Sequence, residues 1–119
     1  MQIKIIGAGL AGCEAALWLA DHGVQVDLYE QKPVKFSPAH KSAGFAELIC
    51  SNSLKAERPD SASGLLKIEM RMMGPTCWML PRPARVAAGG ALAVDRDVFS
   101  TAVTEWWKRT PILPFTARK

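Results

Sequence analysis

Gly7-Ala8-Gly9-Leu10-Ala11-Gly12 constrains this chain more than any other stretch of it. The six residues follow directly on a short β-rich run, Gln2–Ile6, and lead into an Ala- and Leu-rich segment, residues 13–22, of high helix propensity. In G-x-G-x-x-G each glycine has a separate task. Gly7 permits the tight turn off the strand, Gly9 lets backbone approach a pyrophosphate, and Gly12 lets the helix pack closely on the strand. The helix N-terminus then turns unpaired N–H groups and a positive dipole end toward phosphate. Gly23 stands where a helix C-terminal glycine belongs, and residues 24–29 carry β-branched Val24 and Val26 in alternation, as in a second strand. That strand ends at Glu30, 18 residues beyond Gly12, where an acid accepts hydrogen bonds from a ribose hydroxyl. Such an acid disfavours a 2′-phosphate, so the nucleotide implied is FAD or NAD rather than NADP. The expected cofactor contacts are Gly7, Ala8, Gly9, Leu10, Ala11, Gly12 and Glu30.

The first strand has no polar alternation except Lys4, the pattern of a strand covered on both faces. Residues 31–62 show little periodicity, and Pro33, Pro38 and Pro59 forbid long helices there. A loop this long in a compact domain is usually functional or disordered. The block 45–50 interrupts it and is apolar enough to be buried. Ser61 or Ser63 is placed to cap a helix running to about Met73, with Leu65, Leu66, Glu69 and Met70 near helical spacing. A Gly89-Gly90 turn lies within the run 86–94. Asp95 then caps a further helix with Val98, Phe99, Ala102, Val103 and Trp106 on one face. The expected fold class is α/β: the N-terminal portion of a Rossmann-like dinucleotide-binding fold, with a βαβ unit, a loop and helices, which the resemblance given below makes an FAD-binding fold.

The chain has 119 residues, room for one small domain. No apolar run reaches the roughly 18 residues that cross a bilayer, and no basic segment with an apolar stretch and cleavage site opens the chain, which makes the cytoplasm the default location. Three scattered cysteines suggest neither a disulfide framework nor a metal site. The net charge of +4 is not a nucleic-acid signal, because it is concentrated in two unusual stretches, 75–83 and 106–119. These hold Arg82, Lys108, Arg109, Arg118 and Lys119 with no acid, together with three of the four tryptophans and five of the eight prolines.

Several blocks occur in an order that resembles one family. They are Pro38-Ala39-His40, Phe45-Ala46-Glu47-Leu48-Ile49-Cys50-Ser51-Asn52-Ser53-Leu54, Gly64-Leu65-Leu66-Lys67 and Ala88-Gly89-Gly90-Ala91-Leu92-Ala93-Val94-Asp95-Arg96. The sequence is similar, over residues 1–74 and 84–105, to the N-terminal part of the folate- and FAD-dependent tRNA (uracil-5-)-methyltransferases, the TrmFO family. The resemblance selects FAD over NAD. It implies that methylenetetrahydrofolate supplies a one-carbon unit to C5 of a T-loop uridine, and that FAD, reduced by a nicotinamide cofactor (NADH or NADPH), supplies the electrons that make it a methyl group. It also implies a catalytic role for Cys50. A thiolate can add to a uracil ring or an activated methylene if its pKa is lowered, here by a nearby flavin and by N–H groups of the turn Ser51-Asn52-Ser53. By residue type alone Cys50 reads rather as a buried structural cysteine, and Cys13, within the first helix, as packing. Ser51, Asn52 and Arg96 are further candidate cofactor contacts, Arg96 being equally a first-turn helix residue. His40 and Glu47 are candidates for acid–base work, or else a solvated loop histidine and a helix-capping glutamate. Lys55 and Arg58 can reach tRNA phosphates or simply be solvated.

The family is several times longer, with a second domain and a second functional cysteine that this chain lacks, and stretches 75–83 and 106–119 do not match it. Reading degenerate codons for residues 107–119 one nucleotide earlier permits Val-Glu-Ala-His-Pro-His-Ile-Thr-Val-His-Arg-Ala-Glu, which is family-like. The same shift over residues 76–80 permits His-Leu-Leu-Asp-Ala. The expected organisation is therefore residues 1–105 as the N-terminal part of an FAD-binding domain, and 106–119 as an atypical tail read out of frame. On this reading Cys77, Trp78, Trp106 and Trp107 carry no function, the helix from Ser63 breaks at Gly74-Pro75, and the tail from Pro111 packs poorly. Three readings stand: the FAD-binding piece of an enzyme, inactive alone; a non-catalytic remnant that does not hold FAD; and a free-standing dinucleotide-binding module or oxidoreductase fragment.

Overall fold

A computed structural model describes residues 1–79, 84–110 and the strand Phe115–Ala117. The βαβ unit is formed as the sequence implies. Strand β1 (Gln2–Ile6) leads through the glycine loop into helix α1 (Leu10–Asp21) and returns in β2 (Gln25–Glu30), with β1 and β2 parallel and Ile3 opposite Val26. The turn between α1 and β2 needs Gly23, whose φ is +71°.

The segment expected to be a loop holds a short strand, β3 (Ser53–Ala56), with an irregularity in its pairing. Helix α2 (Ala62–Met72) follows, capped by Ser61, whose Oγ accepts from the Gly64 N–H at 3.1 Å. It ends ahead of Gly74 (φ +129°) and Pro75. A 3₁₀ turn (Cys77–Met79), β4 (Arg85–Val86) and β5 (Ala91–Val94) come next. Helix α3 (Arg96–Arg109) is capped by Asp95, whose Oδ1 accepts from the N–H groups of Asp97 and Val98. Strand β6 (Phe115–Ala117) closes the described chain.

Among the described residues two three-stranded sheets result. One has the order β1-β2-β6, with both pairings parallel. The other has the order β3-β5-β4, with both pairings antiparallel. The core between them and the helices gathers Ala16, Val26, Leu28, Phe45, Leu92, Val94, Phe99, Val103 and Trp107.

Three expectations are corrected. Strand β1 is not covered on both faces: Gln2, Lys4 and Ile6 share an exposed face, Ile6 at 89%, while Ile3 and Ile5 are half-buried on the other. On α2 the buried positions are Gly64 and Lys67, while Leu65 and Leu66 are exposed. The Lys67 ammonium donates to the carbonyls of Ala56 and Ser63, tying α2 to β3. On α3 the buried face is Phe99, Ser100, Val103 and Trp107, whereas Val98 is exposed. Cys77, Trp78 and Trp107, from the two unusual stretches, are buried in the core. The backbone at 115–117 joins the first sheet beside β2. The expectation of a poorly packed tail otherwise falls on residues 111–114, 118 and 119, which lie outside the described residues, as do 80–83.

Candidate functional site

The glycine loop has the geometry its spacing calls for. Gly7 has φ +100°, and its N–H donates to the Tyr29 carbonyl at 2.7 Å, fixing the turn to β2. A Cβ built on Gly12 would stand 1.9 Å from the Gly7 carbonyl oxygen, so helix and loop are in contact there and only glycine fits. A Cβ built on Gly9 meets nothing within 4 Å. Gly9 is the N-cap of α1 and offers no side-chain cap, and no acidic residue stands in the first turn. The loop thus presents an open space beside uncapped N–H groups at the positive end of a helix dipole, the conditions for holding a phosphate.

Glu30 ends β2 and is already engaged. It is buried, and its Oε2 accepts from the Ala8 N–H at 2.8 Å while Oε1 accepts from the Lys32 N–H at 3.0 Å. A carboxylate has about four acceptor positions, so each oxygen can still accept from a hydroxyl. Leu10 and Ala11 line a large apolar cavity of about 860 Å³ between α1 and α2, with Trp18, Leu66, Met70 and Trp78.

The loop 41–50 is drawn onto the glycine loop. Ala46, at φ +49°, donates its N–H to the Ala8 carbonyl at 2.8 Å. Helix α3 holds Phe45 from the other side: the Phe45 N–H donates to Thr104 Oγ1 at 2.9 Å, and Ser100 Oγ donates to the Phe45 carbonyl at 2.6 Å. Phe45, Ala46 and Leu48 are buried as expected, but Ile49 and Cys50 are exposed. Cys50 is therefore no structural core cysteine.

Cys50, Ser51, Asn52 and Arg96 line one polar cavity of about 490 Å³, completed by Val94, Asp95 and Asp97. Residues far apart in sequence thus meet at the α3 N-terminus. Arg96 is both a first-turn residue of α3 and a wall of this cavity. The Ser53 N–H, expected to face the thiol, donates instead to Ser51 Oγ at 3.2 Å. Cys13 and Cys77 differ from Cys50 in being buried. Burial pushes the Cys13 thiol up to about 12 and the Cys77 thiol up as well, so both are inert at neutral pH.

The other candidates are dispersed or otherwise engaged. His40 is half-buried and its Nδ1 pairs with Ser37 Oγ. Glu47 stands in no helix and caps none. Its Oε1 accepts from the N–H groups of Lys41 and Ser42, both at 2.9 Å, and its Oε2 pairs with the Lys32 ammonium at 3.2 Å. Burial pushes this carboxyl up, but those N–H donors and the Lys32 charge outweigh it and hold the group below its ordinary value. Lys32, 3% exposed, was not marked by sequence, where it is one lysine beside a proline. Lys55 is exposed on the rim of the apolar cavity, and Arg58 pairs loosely with Asp60 at 3.5 Å. Among the described residues no His, Cys, Asp and Glu cluster could hold a metal, and no helix is long and apolar enough to cross a membrane.

The family described as glucose inhibited division protein A matches residues 2–118, a range that runs through both unusual stretches. Curated relatives are similar over most of the chain. The methylenetetrahydrofolate–tRNA-(uracil-5-)-methyltransferase TrmFO of Acetivibrio thermocellus is 55% identical over 107 residues, 90% of this chain and 24% of that protein. Its namesake in Geotalea daltonii is 53% identical over 112 residues, 94% of this chain and 26% of that protein. The chain thus spans about a quarter of the length of the relatives it matches. Among solved structures, the p-nitrophenol 4-monooxygenase PnpA of Pseudomonas putida aligns with 97% of this chain and 31% of its own, at 17% identity and a TM-score of 0.49.

Proposed function

The chain belongs to the glucose inhibited division protein A family, and from that premise we propose that it is the FAD-binding portion of a folate-dependent tRNA (uracil-5-)-methyltransferase. The observation that carries the reading is the cavity shared by Cys50, Ser51, Asn52 and Arg96, reached from a loop that is hydrogen-bonded to the glycine loop through Ala46 and Ala8.

The residues present fit an FAD. Gly7, Gly9, Gly12 and the N–H groups of Leu10 and Ala11 would receive the pyrophosphate, Ala8 would line it, and Glu30 would accept from the ribose. Arg96, Ser51 and Asn52 would meet the flavin side of the molecule. Bound flavin, reduced by a nicotinamide cofactor, supplies the electrons that turn a methylene from methylenetetrahydrofolate into a methyl group. Cys50 would supply an exposed sulfur nucleophile for the uracil ring or the activated methylene, while the buried thiols of Cys13 and Cys77 stay out of the chemistry. Lys55 and Arg58 offer charge to tRNA phosphates.

The test is a titration of the purified chain with FAD, followed by flavin fluorescence and by the visible absorbance of the protein after gel filtration. Retained yellow colour with a 1:1 stoichiometry is the expected result. Binding of NADP in place of FAD, or a stoichiometric zinc, would overturn the reading.

A second reading, of a remnant whose frame is shifted, is favoured by one observation. The buried side-chain polar atoms without a partner, among the described residues, are Thr76 Oγ1, Trp78 Nε1 and Trp107 Nε1. All three fall in the two unusual stretches, and each costs about 1–3 kcal/mol. The nucleotide sequence around codons 75–83 and from codon 106 onward decides it. Codons that cannot spell the family-like peptides in the shifted frame refute the reading.

A further inference from the structure

We propose that Lys32 and Glu47 are positioning residues that hold the Cys50 loop in register with the nucleotide-binding loop; the proposal rests on Cys50 being the reacting thiol.

The bonds form a closed ring. The Ala8 N–H donates to Glu30 Oε2 at 2.8 Å, and Glu30 Oε1 accepts from the Lys32 N–H at 3.0 Å. The Lys32 ammonium donates to the Gly44 carbonyl at 2.6 Å and to Glu47 Oε2 at 3.2 Å. Glu47 Oε1 gathers the N–H groups of Lys41 and Ser42, and the Ala46 N–H returns to the Ala8 carbonyl at 2.8 Å. The carboxylate expected to meet the ribose and the loop that carries the thiol are thus joined through one lysine.

Two features make this more than a surface ion pair. The side chains of Lys32 and Glu47 are 4% and 14% exposed, so the pair is desolvated and each charge needs the other. Residues 41–50 lie in no helix or strand, so their course depends on such bonds rather than on a ladder. Glu47 stands three residues before Cys50 with only buried Leu48 and exposed Ile49 between, so displacement of Glu47 is transmitted to the thiol. A carboxylate serves both sides of the clamp because both oxygens accept. A glutamine at 47 has one acceptor and one donor, and must release either Lys32 or the Lys41 and Ser42 amides.

The test uses the full chain as wild type, E47Q and K32M. Two quantities are followed: amide hydrogen exchange of peptides covering 41–50 and β1–β2, and the rate of Cys50 alkylation by iodoacetamide, located by mass spectrometry. A free peptide of residues 45–54 gives the rate for an unpositioned thiol. In the wild type the Cys50 rate is expected to differ from the peptide's. In both variants loop exchange should quicken by about tenfold, the Cys50 rate should move to the peptide's value, and β1–β2 protection should persist. A loop that loosens while Cys50 keeps its wild-type rate would make the pair merely structural and overturn the proposal, as would an unchanged loop. A wild-type rate equal to the peptide's would instead remove Cys50 as an activated thiol and take the functional reading with it. Should either single variant not fold, the double variant K32M/E47Q, which leaves no unpaired buried charge, is read against the same criteria.

Discussion

Replacing Gly12 and Gly9 separately by alanine should divide folding from ligand binding within one loop. The added methyl of Gly12→Ala lands 1.9 Å from the Gly7 carbonyl oxygen and 3.1 Å from its carbon, where real contacts do not fall below 3.0 Å. Both partners are backbone, so no side chain can swing aside; α1 must retreat from the loop by about 1 Å in an interior packed like a crystal. Overpacking of this kind costs about 1–3 kcal/mol, and backbone against backbone belongs at the upper end. For a domain of this size that lowers the melting temperature by roughly 10–20 °C. Gly9→Ala is the opposite case. Its φ is −76° and its methyl meets nothing within 4 Å. The fold should lose no more than ~1 kcal/mol, the difference between glycine and alanine at an N-cap. The methyl nevertheless occupies the space where a pyrophosphate would lie, so FAD affinity should fall at least about tenfold, or ~1.4 kcal/mol. Thermal denaturation followed by circular dichroism reads the first effect, and flavin fluorescence titration at 25 °C reads the second. A Gly12→Ala chain that melts within about two degrees of the wild type, or a Gly9→Ala chain that binds FAD undiminished, would refute the reasoning.

Two further predictions concern the core and the clamp. Trp107→Ala should cost about 3–5 kcal/mol, since the ring is 2% exposed and lies edge-on to Phe45 with centroids 6.0 Å apart; Trp107→Phe should cost much less, because it also removes an indole N–H that has no partner. Urea midpoints compare the three chains, and an alanine variant as stable as the wild type would place the end of α3 outside the core. The Glu47 carboxyl is held below its ordinary value of 4.5 in the folded chain. Its contribution is therefore complete above that value and is lost as pH falls through the lower folded value. Urea midpoints taken from about pH 6 down to about pH 3 should show an acid loss in the wild type that is smaller in Glu47→Gln; identical slopes would show that the carboxylate does not stabilise the loop.

What could be read from the sequence was what depends on near neighbours. The βαβ unit, the stops at Gly23 and Gly74, the caps at Ser61 and Asp95 and the Gly89-Gly90 turn are local matters of dihedral angle and capping, and each is in place. Coverage is not local. Ile3, Ile5 and Ile6 read as a strand buried on both faces, yet Ile3 and Ile5 are half-buried on one face and Ile6 lies exposed with Gln2 and Lys4 on the other. β3 is not legible in the sequence because four residues, Ser-Leu-Lys-Ala, give no usable alternation, and their partners in β5 lie far beyond any local pattern window. At the site, Cys50, Ser51, Asn52 and Arg96 could be named from blocks of sequence, and the structure gathers them at one cavity. The part played by Glu47 could not. An acid in a loop looks the same whether it transfers protons or binds two amides and a buried lysine, and only the folded chain brings Lys32 to it.

The terminal place of β1 in its sheet has a consequence for how copies of this chain behave toward one another. Among the described residues its outer edge has no partner strand, and the backbone donors and acceptors along such an edge form a template on which an extended chain can dock. The guard against it is Lys4, exposed in the middle of the strand with its ammonium 6.0 Å from the Tyr29 ring centre. Two copies laid strand to strand would bring these ammonium groups together. The lysine set between Ile3 and Ile5 thus places like charge where two such edges would meet.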